Sequence, residues 1–231
     1  MPLAAGRVKT HFIRNRDAWI LEKCRGRRVL HLGCTDWPLT SERLREGRLL
    51  HGRLASEAAE LVGVDPDREG IDAIAREMPG FEFACLTAEE MADDPRIGGR
   101  PWDIVLAADV LEHVSDVGRA LGAMRRVMHP ESELVLTTPS AFALKRFAAL
   151  LLQGREHVHP DHCYYFSPST LSQCLQRQGL HITTLSFFMW RNPTAVNRAA
   201  YTALLPFNLL TSGRFADEIA LVARVGGAPA A

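Results

Sequence analysis

The run Val29-Leu30-His31-Leu32, broken by Gly33, constrains this chain more than any other feature. An apolar run that ends in a glycine turn reads as a buried strand handing over to a ligand-binding loop. Further on, a second such run, Leu61-Val62-Gly63-Val64, ends in Asp65. A ribose presents two hydroxyl donors that seek one bidentate acceptor, and a carboxylate at a strand end supplies it. Together the two runs point to a nucleoside cofactor at the carboxyl edge of a parallel sheet.

Strand-like and helix-like stretches alternate from Arg28 to Ser140, the pattern of a parallel sheet covered by helices. Strands are expected at 28–32, 61–65, 81–86, 103–108 and 133–138, then at 181–190 and 218–225. Helices are expected over 12–24, around 48–60, from Asp67 to Glu77, after Ser115 or Asp116, over 141–152 and after the Ser167-Pro168 start signal. Thr87-Ala88-Glu89-Glu90 matches a capping box, so Thr87 is expected to open a short helix. At 231 residues the chain suits one domain. Its expected parts are a leading helix in 1–27, a cofactor-binding half in 28–140 and an acceptor-side half in 141–225 with an insertion at 191–213.

Charge and cysteine usage exclude several classes. Basic and acidic residues balance at 27 each, so a nucleic-acid partner, which leaves a basic excess, is not expected. The five cysteines are scattered with no C-x-x-C pair, which suits a reducing cytoplasm. The first residues carry basic charge without an apolar signal core, so secretion is not expected. No run approaches the ~20 apolar residues of a membrane span. Thr35 and Pro38 stand where a G-x-G-x-x-G fingerprint needs glycines, which argues against a nicotinamide enzyme. A homodimer stays open.

Histidines carry the remaining chemistry. Asp109, Glu112 and His113 are spaced so that one helical face can present all three. The stretch His157-Val158-His159-Pro160-Asp161-His162-Cys163-Tyr164-Tyr165 has the spacing to offer imidazoles to a divalent ion. No second ligand set elsewhere in the sequence supports that, so no metal is expected. A solvated loop with Tyr164 and Tyr165 packed inward is the plainer reading. The apolar stretch 199–210 reads as a core helix, with a lid, a dimer surface or a lipid-touching helix as the other uses.

The residues in Val29–Cys34, Val64-Asp65, Phe83–Met91 and above all Trp102–Val114, a strand ending in Asp109 and followed by Leu111-Glu112-His113, resemble the class I S-adenosylmethionine-dependent methyltransferases. The likeness is to their small-molecule branch, which includes the ubiquinone-pathway enzymes. It implies an α/β, Rossmann-like sheet of seven strands with the last antiparallel and helices on both faces. It also implies S-adenosylmethionine as methyl donor and a small-molecule substrate. Carried over by position, Gly33 and Cys34 border the methionine portion and Asp65 holds the ribose. Thr87, Ala88 and Glu89 meet adenine, while Ala107, Ala108 and Asp109 flank the sulfonium. For Thr87 the capping role is the simpler one. Where the family often has an acid this chain has His31, and Thr35 and Trp37 replace further glycines, so Asp36 is expected to take the donor's ammonium group.

In the resembling enzymes a segment ending in Phe-Ser-Pro, here Phe166-Ser167-Pro168, closes over the acceptor. That makes His159, His162 and Tyr165 the expected acceptor contacts, with His159, His162 and His113 as candidate bases. A histidine near neutrality suits an oxygen acceptor, so O-methylation is favoured. By analogy the acceptor is a sugar-containing or lipid-linked biosynthetic intermediate. The rival reading is a catalytically silent methyltransferase-like binding module.

Overall fold

The computed structural model describes residues 9–156, 158–189, 202, 205–207 and 209–226. The apolar runs of the sequence pair into one sheet. Its strands are β1 (Lys9–Phe12), β2 (Arg28–Leu32), β3 (Glu60–Asp65), β4 (Glu82–Cys85), β5 (Trp102–Ala108), β6 (Met128–Pro139), β7 (Leu180–Phe188) and β8 (Glu218–Val225). They lie in the order β1-β7-β8-β6-β5-β2-β3-β4. All pairings are parallel except those of β8, which runs antiparallel between β6 and β7. The expected α/β architecture with an antiparallel last strand is therefore present.

The sheet has eight strands among the described residues, not the expected seven. The extra one is β1, which pairs with β7 from Lys9 opposite Thr184 to Phe12 opposite Phe187. The sequence reading put Phe12 in the leading helix. That helix, α1 (Arg16–Cys24), begins later because Asn15 caps it, its side chain accepting the Ala18 N–H at 3.1 Å.

Side chains of the inner strands bury on both faces. Val105 and Ala107 of β5 join the larger core with Leu30, Leu32 and Leu134, while Ile104, Leu106 and Ala108 pack with Ile20, Val29 and Leu54 on the other face. Helices cover each side: α2 (Thr40–Arg45), α3 (Leu50–Leu54), α4 (Arg68–Glu77), α5 (Pro95–Gly98), α6 (Val117–Arg126), α7 (Leu144–Gln153) and α8 (Pro168–Arg177). The helix expected at 48–60 is the shorter α3, and α2 before it was not expected from the sequence. Gly47, at φ +66°, turns the chain between them in the left-handed conformation that glycine tolerates.

Caps read from sequence operate at α4, where Asp67 accepts the Glu69 N–H, and at α8, where Ser167 and Thr170 form a reciprocal box. Asp116, not Ser115, caps α6. Thr87 opens no capping box: its hydroxyl donates to Glu90 Oε2 at 2.9 Å, and only a 3₁₀ turn at Met91–Asp93 follows. Most of the expected insertion, residues 191–201, 203–204 and 208, lies outside the described residues, as do Trp190 and His157. Among those described, no helix is long and apolar enough to cross a membrane.

Candidate active site

Strand order reverses where β2 sits beside β5, with β3 on its far side, and ligands bind outside the carboxyl ends of strands at such a point. A cavity of about 1280 Å³ opens there. Its walls come from the turns after β2, β3, β4 and β5, from the start of α1, from α2 and α3, and from the histidine loop. Gly33, Cys34, Asp36, Asp65, Thr87, Ala88, Glu89, Ala108, Asp109, His113 and His159 all line it. Ribose, adenine and sulfonium contacts expected from separate stretches of sequence are thus brought to one hollow.

Two of these positions have the geometry a cofactor needs. Gly33 adopts φ +71°, and a β-carbon there would lie 2.8 Å from Val110 Cγ2, so only glycine leaves the turn in place. Asp65 is nearly buried, with Oδ2 accepting the Thr35 N–H at 3.1 Å and Oδ1 the Asp67 N–H at 3.0 Å. An ionised carboxylate has about four lone-pair sites, so each oxygen keeps one for a diol.

Asp109 closes the β5 end. It takes the left-handed conformation at φ +56°, unusual for a residue other than glycine, and is held there by three contacts. Its N–H donates to the Thr137 carbonyl, its Oδ1 accepts from Thr137 Oγ1 at 2.7 Å, and its Oδ2 faces the Arg16 guanidinium at 3.3 Å. Glu112 does not share the cavity face expected of it. It is fully buried, accepts from Thr138 Oγ1 at 3.0 Å, and burial followed by repulsion from Asp109 pushes its carboxyl up to about 8.

The other expected residues differ in where the fold places them. Ala107 is fully buried in the core opposite Ala108, because adjacent strand residues face opposite sides. Asp36 lines the cavity while forming an ion pair with Arg43 on α2, so any ammonium group there would share its carboxylate with that guanidinium. Cys34 lines the cavity from a buried position, where desolvation and the Asp65 charge hold its thiol well above the ordinary range and leave it unreactive. His162 and Tyr165 do not line the cavity.

A buried histidine pair was not legible at all. His31 on β2 and His51 on α3 bring their Nδ1 atoms to 3.1 Å with rings stacked, and both line the cavity. Desolvation lowers both, His51 to about 3, so both rings are neutral at ordinary pH. Each Nε2 is buried without a hydrogen-bond partner among the described residues. Asp65 keeps lone pairs for a diol and the bare turn at Gly33 borders the same hollow, so the residues present fit a nucleoside donor.

At the opposite wall, His113, His159 and His162 converge. Their ring centroids are 4.6 Å (113–162), 5.0 Å (159–162) and 5.8 Å (113–159) apart. Backbone bonds fix the arrangement: Cys163 N–H donates to the Glu112 carbonyl at 2.8 Å and His162 N–H to the His159 carbonyl at 3.0 Å. Tyr164 Oη adds a bond to the Ser115 carbonyl at 3.1 Å. His162 is held below its ordinary value by partial burial first, then by the other two imidazoles and Arg146, against the Asp109 carboxylate. Arg146, in the first turn of α7, stacks its guanidinium 4.2 Å over the Tyr165 ring.

Comparison with known proteins agrees with this architecture. Residues 11–185 match the methyltransferase domain family. A ubiquinone biosynthesis O-methyltransferase from Azorhizobium caulinodans is 32% identical over 164 residues, 68% of this chain and 58% of that protein. A relative of the same name from Rhodopseudomonas palustris (strain HaA2) is 32% identical over 192 residues, 78% of this chain and 68% of its own length. The chain thus spans little more than half of the first of these relatives. Among solved structures, a SAM-dependent methyltransferase from Archaeoglobus fulgidus superposes with TM-score 0.59 at 19% identity, covering 90% of this chain and 91% of that one. Magnesium protoporphyrin IX methyltransferase from Synechocystis, solved with bound SAH, gives TM-score 0.59 at 15% identity over 91% and 80% of the two chains. The family match extends over three quarters of the sequence and the reversal of strand order falls where the hollow opens, and on that ground the chain belongs to the class I S-adenosylmethionine-dependent methyltransferases.

Proposed function

We propose that this protein transfers a methyl group from S-adenosylmethionine to a hydroxyl oxygen of a small, lipid-linked biosynthetic intermediate. One juxtaposition carries the reading: Asp65, the bare turn at Gly33 and the imidazoles of His113 and His159 border a single cavity. A donor site and an acid–base group share one hollow.

In this reading residues 28–140 hold the donor and 141–225 the acceptor. Asp65 receives the ribose hydroxyls on the lone pairs that its two backbone donors leave. Gly33 keeps the backbone clear for the methionine portion. Thr87, Ala88 and Glu89 border adenine, and Ala108 and Asp109 the sulfur. When bound, S-adenosylmethionine supplies a methyl group already activated by its positive sulfur. The chain's task is then to align the acceptor oxygen behind that carbon, an ordering worth ~7 kcal/mol or more of the barrier in favourable cases. An acceptor hydroxyl must also shed its proton, and the imidazoles of His113 and His159 on the cavity wall draw it off, with His162 packed behind them.

Two observations support the finer terms. The relatives above are named as O-methyltransferases, which favours oxygen as the acceptor atom. Of the two acceptor classes expected from sequence, α7 favours the lipid-linked one. It starts beside the histidine loop, has no buried residue, and exposes Phe147, Leu150, Leu151 and Leu152.

The test pairs calorimetry with labelled transfer. S-adenosylhomocysteine should bind the wild-type chain, and Asp65→Ala should weaken it by at least about a hundredfold, since two charge-assisted hydrogen bonds are lost at ~1.5 kcal/mol or more each. Labelled donor and a host metabolite extract should then yield an oxygen-methylated product that partitions into organic solvent. Absence of any heat with the homocysteine product would overturn the reading in favour of a silent binding module.

A further inference from the structure

We propose that His113, His159 and His162 form a binding site for one late first-row divalent ion, such as zinc or cobalt, and that the acceptor oxygen takes its open position. The sequence offered imidazoles only from the 157–162 stretch. Folding adds a third from a distant turn, because the Cys163 N–H bond to the Glu112 carbonyl lays the loop against His113. Each of the three residues presents a ring nitrogen within 4.8 Å of the other two.

The geometry matches a three-histidine site. With metal–nitrogen bonds of ~2.0–2.1 Å, imidazole centres on a tetrahedral ion stand about 5 Å apart. The observed separations of 4.6, 5.0 and 5.8 Å bracket that value. Ligand nitrogens on such an ion stand about 3.4 Å apart, so side-chain rotations must draw them in from separations of up to 4.8 Å. Nδ1 of His162 is buried with no hydrogen-bond partner among the described residues, an orphaned atom that coordination through this nitrogen would relieve. Imidazole nitrogen is a preferred ligand of zinc, copper, iron and nickel. The Asp161 N–H donates to His159 Nδ1 at 3.3 Å, so coordination through that nitrogen exchanges this bond for one to the ion.

Three protein ligands and an open position are the arrangement of a catalytic ion, not a structural one. His113 and His159 border the cavity that holds Asp65 and Asp109, so the open position looks toward the donor. This part rests on the methyl-transfer reading. An acceptor hydroxyl coordinated there releases its proton to solvent more readily, because the ion stabilises the oxyanion. The oxygen then forms its bond to the methyl carbon as the sulfur–carbon bond breaks, and that electron pair stays on sulfur. In this scheme the ion takes over the proton-releasing task given above to the free imidazoles, and the histidines serve as its ligands.

The experiment uses the full, tag-free chain after removal of metal with a chelator. Cobalt(II) should bind one per chain and develop the visible absorption of a four- or five-coordinate site, and zinc should displace it. His113→Ala, His159→Ala and His162→Ala should each weaken cobalt binding by at least about tenfold. His129→Ala and His181→Ala, on histidines elsewhere in the fold, should leave it unchanged. No cobalt spectrum, or a spectrum insensitive to His113→Ala, overturns the site. Titration of the same sample with S-adenosylhomocysteine keeps the two ideas apart. Heat from the nucleoside without a cobalt spectrum defeats the ion alone, while a cobalt spectrum without that heat defeats the methyl-transfer reading alone.

Discussion

Gly33 and Asp65 announce themselves in the sequence because their roles are local. A strand ends, the chain must turn, and the next strand ends in an acid. Gly33 allows a sharp forecast. Any side chain at φ +71° is strained, and a β-carbon would press on Val110. Gly33→Ala should therefore lower stability by about 1–3 kcal/mol, read as a fall in the urea midpoint at constant slope. A midpoint within error of wild type would show that the turn relaxes freely. Asp36 and Ala107 were harder to read for physical reasons. The partner of Asp36 is Arg43 on a helix that periodicity did not reveal, and the facing of Ala107 depends on the phase of β5, which a strand apolar at every position but Asp103 conceals. The His31–His51 contact joins residues of two elements and leaves no trace in either local pattern.

At the level of elements, strand ends and caps were legible where one residue does the work, as at Asp67 and Ser167. The α2–α3 region was not, because five- and six-residue helices are too short to establish a period. Yet α3 matters to stability, since it delivers His51 to β2. The unfolded His51 ring takes up a proton as pH falls below its ordinary 6.5, whereas the folded ring resists until about 3. Its folded value is depressed, so the unfolded state binds more protons within that window and stability declines as pH falls. The contribution is complete above about pH 6.5 and is lost at up to about 1.4 kcal/mol per pH unit below it. His31, lowered in the same direction, adds to the slope. Urea denaturation at pH 7.5 and pH 5 should show the loss, and His51→Phe should make the difference between the two pH values smaller. An equal difference in wild type and variant would remove His51 as its source.

For the whole molecule, alternating strands and helices sufficed to give the α/β layers and the hollow at the reversal of strand order. The eighth strand was hidden because a four-residue edge segment carries no pattern of its own, and the His113 cluster because its members meet only after the sheet and the 158–165 loop are in place. The assembled shape also sets α7 apart. Leu151 and Leu152 are 84% and 85% exposed on a helix that begins next to the acceptor wall. If that face guides a lipid-linked acceptor, Leu151→Glu with Leu152→Glu removes two apolar contacts worth ~1.5 kcal/mol or more each when covered. Transfer of label into organic-soluble product should then fall at least about tenfold at subsaturating acceptor. The melting temperature and S-adenosylhomocysteine affinity should stay near wild type, because exposed substitutions seldom cost more than ~0.5 kcal/mol. Undiminished organic-phase label in the double variant would separate α7 from the acceptor and return the sugar-containing class to first place.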